Sequence, residues 1–297
     1  PSRKRGFVLL GAVGAAAFFV FAYKAGENDV LGSALRSRSN LDFSVDSGYG
    51  QPVSVQSFYK DIKAIVEPYR TSTFSVKSST GFKGTVSSSF TWTVAPELVP
   101  RSGSLPVDVS DAVFDSKNAV ALKATDALTA THFFGEGSAG ARFLVTATCQ
   151  GTGESVSKVV SGKYVRRELR TLSAEDRELY LDALHTVYTT NTETGKKLYG
   201  NRFRGFNYYG FWHLGSAQYD SKWHNSPSFF PSHAAFASVL EYSMQLVHPR
   251  VSLCYWDFMQ DSAVYQSKSG LNWGSSIIFS KEFFGPMPFT EDGSSDS

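Results

Sequence analysis

The hydrophobic period changes sharply near residue 164, and that change constrains the fold more than any other feature of the chain's 297 residues. Across residues 73–163 apolar and polar side chains alternate in TFSVKSS, TVSSSFTWTVA, AVALKAT and ARFLVTATCQG, with clusters of Gly, Ser, Asp and Pro between them. A period of two buries one face of a strand. Several short strands at this spacing predict a small all-β sandwich of the immunoglobulin-like kind. From residue 164 the period lengthens to three and four. LSAEDRELYLDALHTVY places Ser173 as an N-cap, Asp176 three residues on, and Leu179, Ala183, Leu184 and Val187 along one helical stripe. The chain is therefore expected to be multi-domain. The sandwich at 73–163 precedes a mostly α-helical region at 164–290 and a disordered, solvated tail at 291–297.

Ahead of the sandwich, residues 26–72 read as a linker with one short helix, in which Phe58, Ile62, Ile65 and Val66 share a face until Pro68 interrupts it. Residues 6–23 form an eighteen-residue run without a charge, between Arg3, Lys4 and Arg5 on one side and Lys24, Glu27 and Asp29 on the other. A spanning helix needs roughly 20 apolar residues. The run predicts a single-pass membrane helix, and by the positive-inside rule residues 1–25 become a cytoplasmic basic arm and anchor. The bulk of the chain would then be non-cytoplasmic, in the secretory pathway or an organelle lumen. The alternative is a cleaved signal peptide and a secreted product, although Tyr23 suits the position three before a cut after Ala25 poorly.

Either route permits a disulfide. With two cysteines, Cys149 and Cys254, the chain makes at most one bridge and no Cys-rich zinc site, and whether the two pair stays open. The formal net charge of +2 becomes −1 without the three N-terminal cations, which excludes a protein that must neutralise many nucleic-acid phosphates.

The chemistry is concentrated in one window. Three of the six histidines, His213, His224 and His233, fall within twenty-one residues, among Trp212, Trp223, Phe229, Phe230 and Phe236. Neutral imidazole offers a nitrogen lone pair near pH 7, and three imidazoles in an apolar surround suit copper or zinc. Three unrelated packing histidines are the plainer reading of the same spacing, since neither interval is the one-turn HxxxH pair. His132 reads as a surface or loop histidine, and His185 as a packed or exposed helix residue.

The flanks of these histidines carry more information. The stretch HNSPSFFPSHAAFASVLEYSMQLVHPRVSLCYWDF, residues 224–258, resembles the first copper-binding half of the tyrosinase family of type 3 copper proteins. That family's pattern is a histidine, eight residues including an aromatic and a proline, a second histidine on a new helix, a glutamate eight further on, and then YWD. His224, His233, Glu241 and Asp257 keep every interval, and RFRGFNYYGFWH puts His213 where the family's first ligand follows an aromatic helix. The resemblance covers residues 164 to about 285. It implies that His213, His224 and His233 hold one copper, while Phe229, Glu241 and Asp257 support the site without ligating the metal. Pro231 suits a first helical turn just ahead of His233.

The departures bear on activity. Ser232 and Ala234 stand where the family has Trp and Arg around the third ligand, Cys254 replaces the proline before YWD, and Lys222 replaces the cysteine that some members link to a histidine. The family's second copper uses three further histidines downstream, and this chain has none after His248. The resemblance implies a membrane-anchored copper oxidoreductase that oxidises phenols or catechols with O2. Only the first copper site lies in this chain, and a partner chain or a C-terminal continuation would supply the second. The alternatives are a catalytically silent, structural or binding module displayed at a membrane, and a zinc site on the same three histidines.

Overall fold

The computed structural model describes residues 41–49, 64–78, 89–98, 112–219, 223–224, 226–267 and 276–285. Among them nine strands form two sheets: β1 Leu41–Asp46, β2 Ala64–Val66, β3 Arg70–Ser78, β4 Phe90–Pro96, β5 Val120–Ala121, β6 Lys123–Ala124, β7 Thr129–Phe134, β8 Arg142–Cys149 and β9 Ser155–Gly162. One sheet has the order β1-β3-β7-β6 and the other β2-β9-β8-β4-β5. All pairings are antiparallel except β2 with β9.

Alternation explains which side chains meet between the sheets. Phe90, Trp92 and Val94 of β4 point inward while Thr91 and Thr93 face water, and β1 does the same with Leu41, Phe43 and Val45. Aromatic rings from both sheets pack edge-on across one core, Phe43 against Trp92 at 5.4 Å and Phe134 against Phe143 at 5.1 Å. In the register, large faces small: Phe74 lies opposite Ala130 and Trp92 opposite Ala147, so neighbouring strands interdigitate without clash.

Five helices follow: α1 Ala174–Thr189, α2 Thr192–Tyr199, α3 Phe206–Tyr219, α4 Phe229–Val247 and α5 Phe258–Ser267. Ser173 caps α1 by accepting from the Asp176 N–H at 3.2 Å. The buried stripe of α1 is Tyr180, Ala183 and Val187, with Leu179 and Leu184 partly covered, and it packs with Met244, Phe203, Val251 and Ile278 into a second core. Gly195 lets α2 approach this core, because a Cβ there would lie 2.0 Å from the Phe203 ring.

Several expectations need correction. Among the described residues the fold is mixed and sheet-rich, with two sheets ahead of the helices, which corrects the expected membrane helix and small sandwich followed by a mostly α-helical domain. The sheets begin at Leu41, inside the stretch read as linker, because β1 is a short strand whose three inward residues are diluted by neighbouring Ser, Asp and Gly. Ile65 and Val66, read as a helical face, belong to β2 and pair with Ser161 and Gly162 of β9; the rest of that expected helix lies outside the described residues. His132, read as a surface or loop histidine, sits half-buried in β7 with its ring edge-on to Phe134 at 4.8 Å.

Among the described residues no helix is long and apolar enough to cross a membrane, which corrects the expected single-pass localisation. The longest helix, α4, has nineteen residues but is broken up by Pro231, Ser232, His233, Glu241, Ser243 and Gln245, and its apolar stripe is used in the second core. The uncharged run 6–23 and the tail 291–297 lie outside the described residues. Cys149 lies in the sandwich core and Cys254 among the helices, so the two do not pair with each other.

Candidate metal centre

Three pieces of chain bring the histidines together. His213 lies on α3, His224 in the short connection between α3 and α4, and His233 in the second turn of α4. One ligand nitrogen from each lies within 4.8 Å of the other two, and among the described residues this is the group of side chains placed to hold a metal. The ring centroids are 5.2 Å apart for His213 and His224, 5.4 Å for His224 and His233, and 5.7 Å for His213 and His233.

Helix α4 begins two residues before Pro231, at Phe229, and this first turn orients a ligand. The Phe229 carbonyl lies 2.8 Å from His233 Nδ1. A carbonyl only accepts, so Nδ1 carries the hydrogen and Nε2 keeps the lone pair. The Phe229 ring also stacks on the His233 imidazole at 4.1 Å and 30°. Trp223 closes another side, 5.4 Å from His233, and Phe236 lies 5.9 Å from His213. The donor set of three imidazoles walled by aromatic rings fits a copper or zinc ion with an open coordination position.

The angle of α3 is fixed away from the triad. The Tyr209 hydroxyl approaches the Val239 carbonyl at 3.1 Å and the Ser243 hydroxyl at 2.7 Å, and Ser243 Oγ also accepts from the Arg204 N–H at 3.0 Å. Burial pushes the Tyr209 phenol up to about 12, so it remains a protonated donor at any physiological pH. Beside His213 an apolar cleft of about 520 Å³ opens between α1, α3 and α4, lined by Tyr188, Phe206, Tyr209, Phe236 and Phe284.

The expected supporting carboxylates stand elsewhere. Glu241 accepts from the Leu253 N–H at 2.7 Å and from Arg166 at 2.5 and 3.3 Å, tying α4 to two extended segments. Asp257 is only partly buried and caps α5, accepting from the Met259 N–H at 3.2 Å and the Gln260 amide at 2.9 Å. The buried acid of the YWD region is Asp261, which receives Trp256 Nε1 at 2.6 Å and Arg170 at 2.9 Å. His248 ends α4 and pairs with Asp182 at 2.7 Å, and His185 lies exposed on α1. Ser243, Arg166 and Asp261 were not singled out from the sequence. The one available signal was Ser243, a polar residue beside Met244 on the buried stripe of α4.

A stretch of 124 residues is 32% identical to a tyrosinase-like protein, tyr-3, of Caenorhabditis elegans. It covers 42% of this chain and 15% of the worm protein, so the chain spans a small part of that relative's length. No family model matches the chain, and no solved structure is significantly similar to it. A distant, partial homologue thus carries the tyrosinase-like name.

Proposed function

We propose that this chain is the first-copper half of a tyrosinase-like oxidoreductase, with His213, His224 and His233 holding one copper. The observation that carries this reading is the convergence of three imidazole nitrogens within 4.8 Å, with His233 Nδ1 already committed to a carbonyl. The partial likeness to a tyrosinase-like protein supports the choice of metal and of chemistry. Copper held there would supply a one-electron couple, half of the two-electron oxidation of a catechol to a quinone, so turnover with O2 would need a second copper beside it.

The chain's own residues do the rest. The Phe229 carbonyl holds the proton of His233 on Nδ1, and the Phe229 ring restricts rotation of the imidazole. Trp223, Phe229 and Phe236 line the triad with aromatic rings. The aromatic-lined cleft beside His213 accepts a flat phenolic ring. Ligands for a second copper come from a partner chain or from further chain, for which the exposed Phe211, Leu214 and Phe230 offer an apolar surface to cover.

A second reading is a silent module that holds one metal without turnover; among the described residues the triad has no companion group of ligands, which favours it. A hydrolytic zinc site is disfavoured, because Glu241 and Asp257, the carboxylates expected beside the triad, are engaged with Arg166, Leu253 and the first turn of α5.

Metal analysis after dialysis, paired with oxygen uptake on catechol, tests the proposal. The expected result is one copper per chain and no more, no oxygen uptake by this chain alone, and a loss of copper affinity well beyond ~10-fold for alanine at any of the three histidines. His132→Ala and His185→Ala should bind as the parent does. No copper at saturating metal would overturn the reading, and two coppers with oxygen uptake would overturn the single-site assignment.

A further inference from the structure

The sandwich meets the helices at a buried cluster of charges that plays no part in the histidine triad. Asp176, in the first turn of α1, accepts from the Tyr49 hydroxyl, from Arg70 at 2.7 Å and from Arg250 at 2.6 and 2.9 Å. Glu67 is gripped by both ends of the Arg167 guanidinium at 2.8 and 2.5 Å and lies 3.3 Å from Arg70 Nε. The side chains of Glu67 and Asp176 are only 5% and 6% exposed, so neither carboxylate can turn to water if its partners leave. Tyr49, Glu67 and Arg70 come from the sandwich, and Arg167, Asp176 and Arg250 from the helical part. Two ion pairs therefore cross the boundary, Asp176 with Arg70 and Glu67 with Arg167, as does the Tyr49–Asp176 hydrogen bond, while Asp176 with Arg250 and Glu67 with Arg70 each stay within one part.

Two further observations show that the contact is built. Tyr69 is held in the left-handed region at φ 57°, uncommon for a non-glycine residue, and this turn sets Glu67 and Arg70 three residues apart on the same side. The Arg167 guanidinium also lies 3.6 Å over the Tyr49 ring. The connection from β9 to α1 is no free tether either. Tyr164 donates to the Pro249 carbonyl at 2.7 Å, Ser252 to Val165 at 2.7 Å, and residues 167, 169 and 255 exchange backbone hydrogen bonds at 2.9 and 3.0 Å.

We infer that this cluster is an ionic lock that makes the sandwich and the helices one cooperative body, with the sandwich holding the start of α1 and so the α1–α4 core beneath the triad. Removing one member of such a set leaves a buried charge without compensation, which is far more costly than never having had the pair. The inference is independent of the metal and of the proposed activity.

Differential scanning calorimetry on the full chain tests it. The parent should unfold in one transition. D176N, which keeps shape but strands Arg70 and Arg250, should split that transition in two, with the sandwich melting at the higher temperature. Hydrogen exchange on the same variant should show α1 losing protection while β3 and β7 keep theirs. If D176N does not fold, Arg167→Lys, which keeps the charge but loses the two-pronged grip on Glu67, should lower the midpoint and begin the split. Two transitions in the parent would overturn the inference. So would a single transition of unchanged midpoint in D176N, or in Arg167→Lys where D176N does not fold.

Discussion

Burial alone would raise the Asp176 carboxyl, yet the Tyr49 hydrogen bond and the guanidinium groups of Arg70 and Arg250 outweigh it and hold the pKa at about 2, against an ordinary 3.8. The charged form is thus favoured in the folded chain. Its stabilisation is fully present above the unfolded value and disappears as pH falls through the folded one, so the loss falls between about pH 4 and pH 2 and amounts to about 2 kcal/mol. Urea unfolding of the parent and D176N should show a stability gap at pH 6 that narrows toward pH 2. A gap independent of pH would mean that the Asp176 charge is not what the lock uses. At the same scale, the histidines were legible because three ligand types in a short aromatic window stand out against any background. The Phe229 carbonyl was not, since a backbone atom leaves no mark in the residue alphabet. Phe229→Leu keeps that carbonyl and removes the stacked ring, so copper binding should survive with a loss smaller than that of His233→Ala, as isothermal titration would measure.

Helices α3 and α4 carry two of the three histidines, and their mutual angle depends on Ser243. Its hydroxyl meets both the Tyr209 phenol and the Arg204 N–H. Ser243→Ala leaves the Arg204 N–H without its acceptor and removes the Tyr209 contact, at a cost of about 1–3 kcal/mol, and should lower both the thermal midpoint and copper affinity. Lower stability with unchanged copper affinity would show that α3 holds its angle without this contact. Elements with a long, regular period, such as α1, α4 and β8, were readable because many residues repeat the same pattern. The strands β1 and β2 were not. Three inward residues in LDFSVD are too few to outweigh the flanking Ser and Gly, and Ile65 and Val66 fit a helical stripe as well as a strand until β9 is known to lie beside them. Glu241 illustrates the same limit. Its apolar neighbours Leu240 and Met244 favour a covered side chain, but Arg166, its partner, lies seventy-five residues away in sequence.

For the molecule as a whole, two cores joined by an ionic boundary present a histidine triad near an apolar surface. The sharp change of period at residue 164 suggested separable modules; six charged or phenolic groups from distant segments tie that junction, and no local pattern reveals them. Copper, if bound, should raise the melting temperature of the entire chain and not of one part, because the triad rests on helices that the sandwich holds. A metal-dependent shift confined to one transition would argue against that coupling. The most direct measurement of the central claim is electron paramagnetic resonance of the full chain loaded with one equivalent of Cu(II). The spectrum should show a single copper species with hyperfine coupling to three imidazole nitrogens, reduced by one nitrogen or lost in each of His213→Ala, His224→Ala and His233→Ala. A spectrum unchanged by those three substitutions would contradict it.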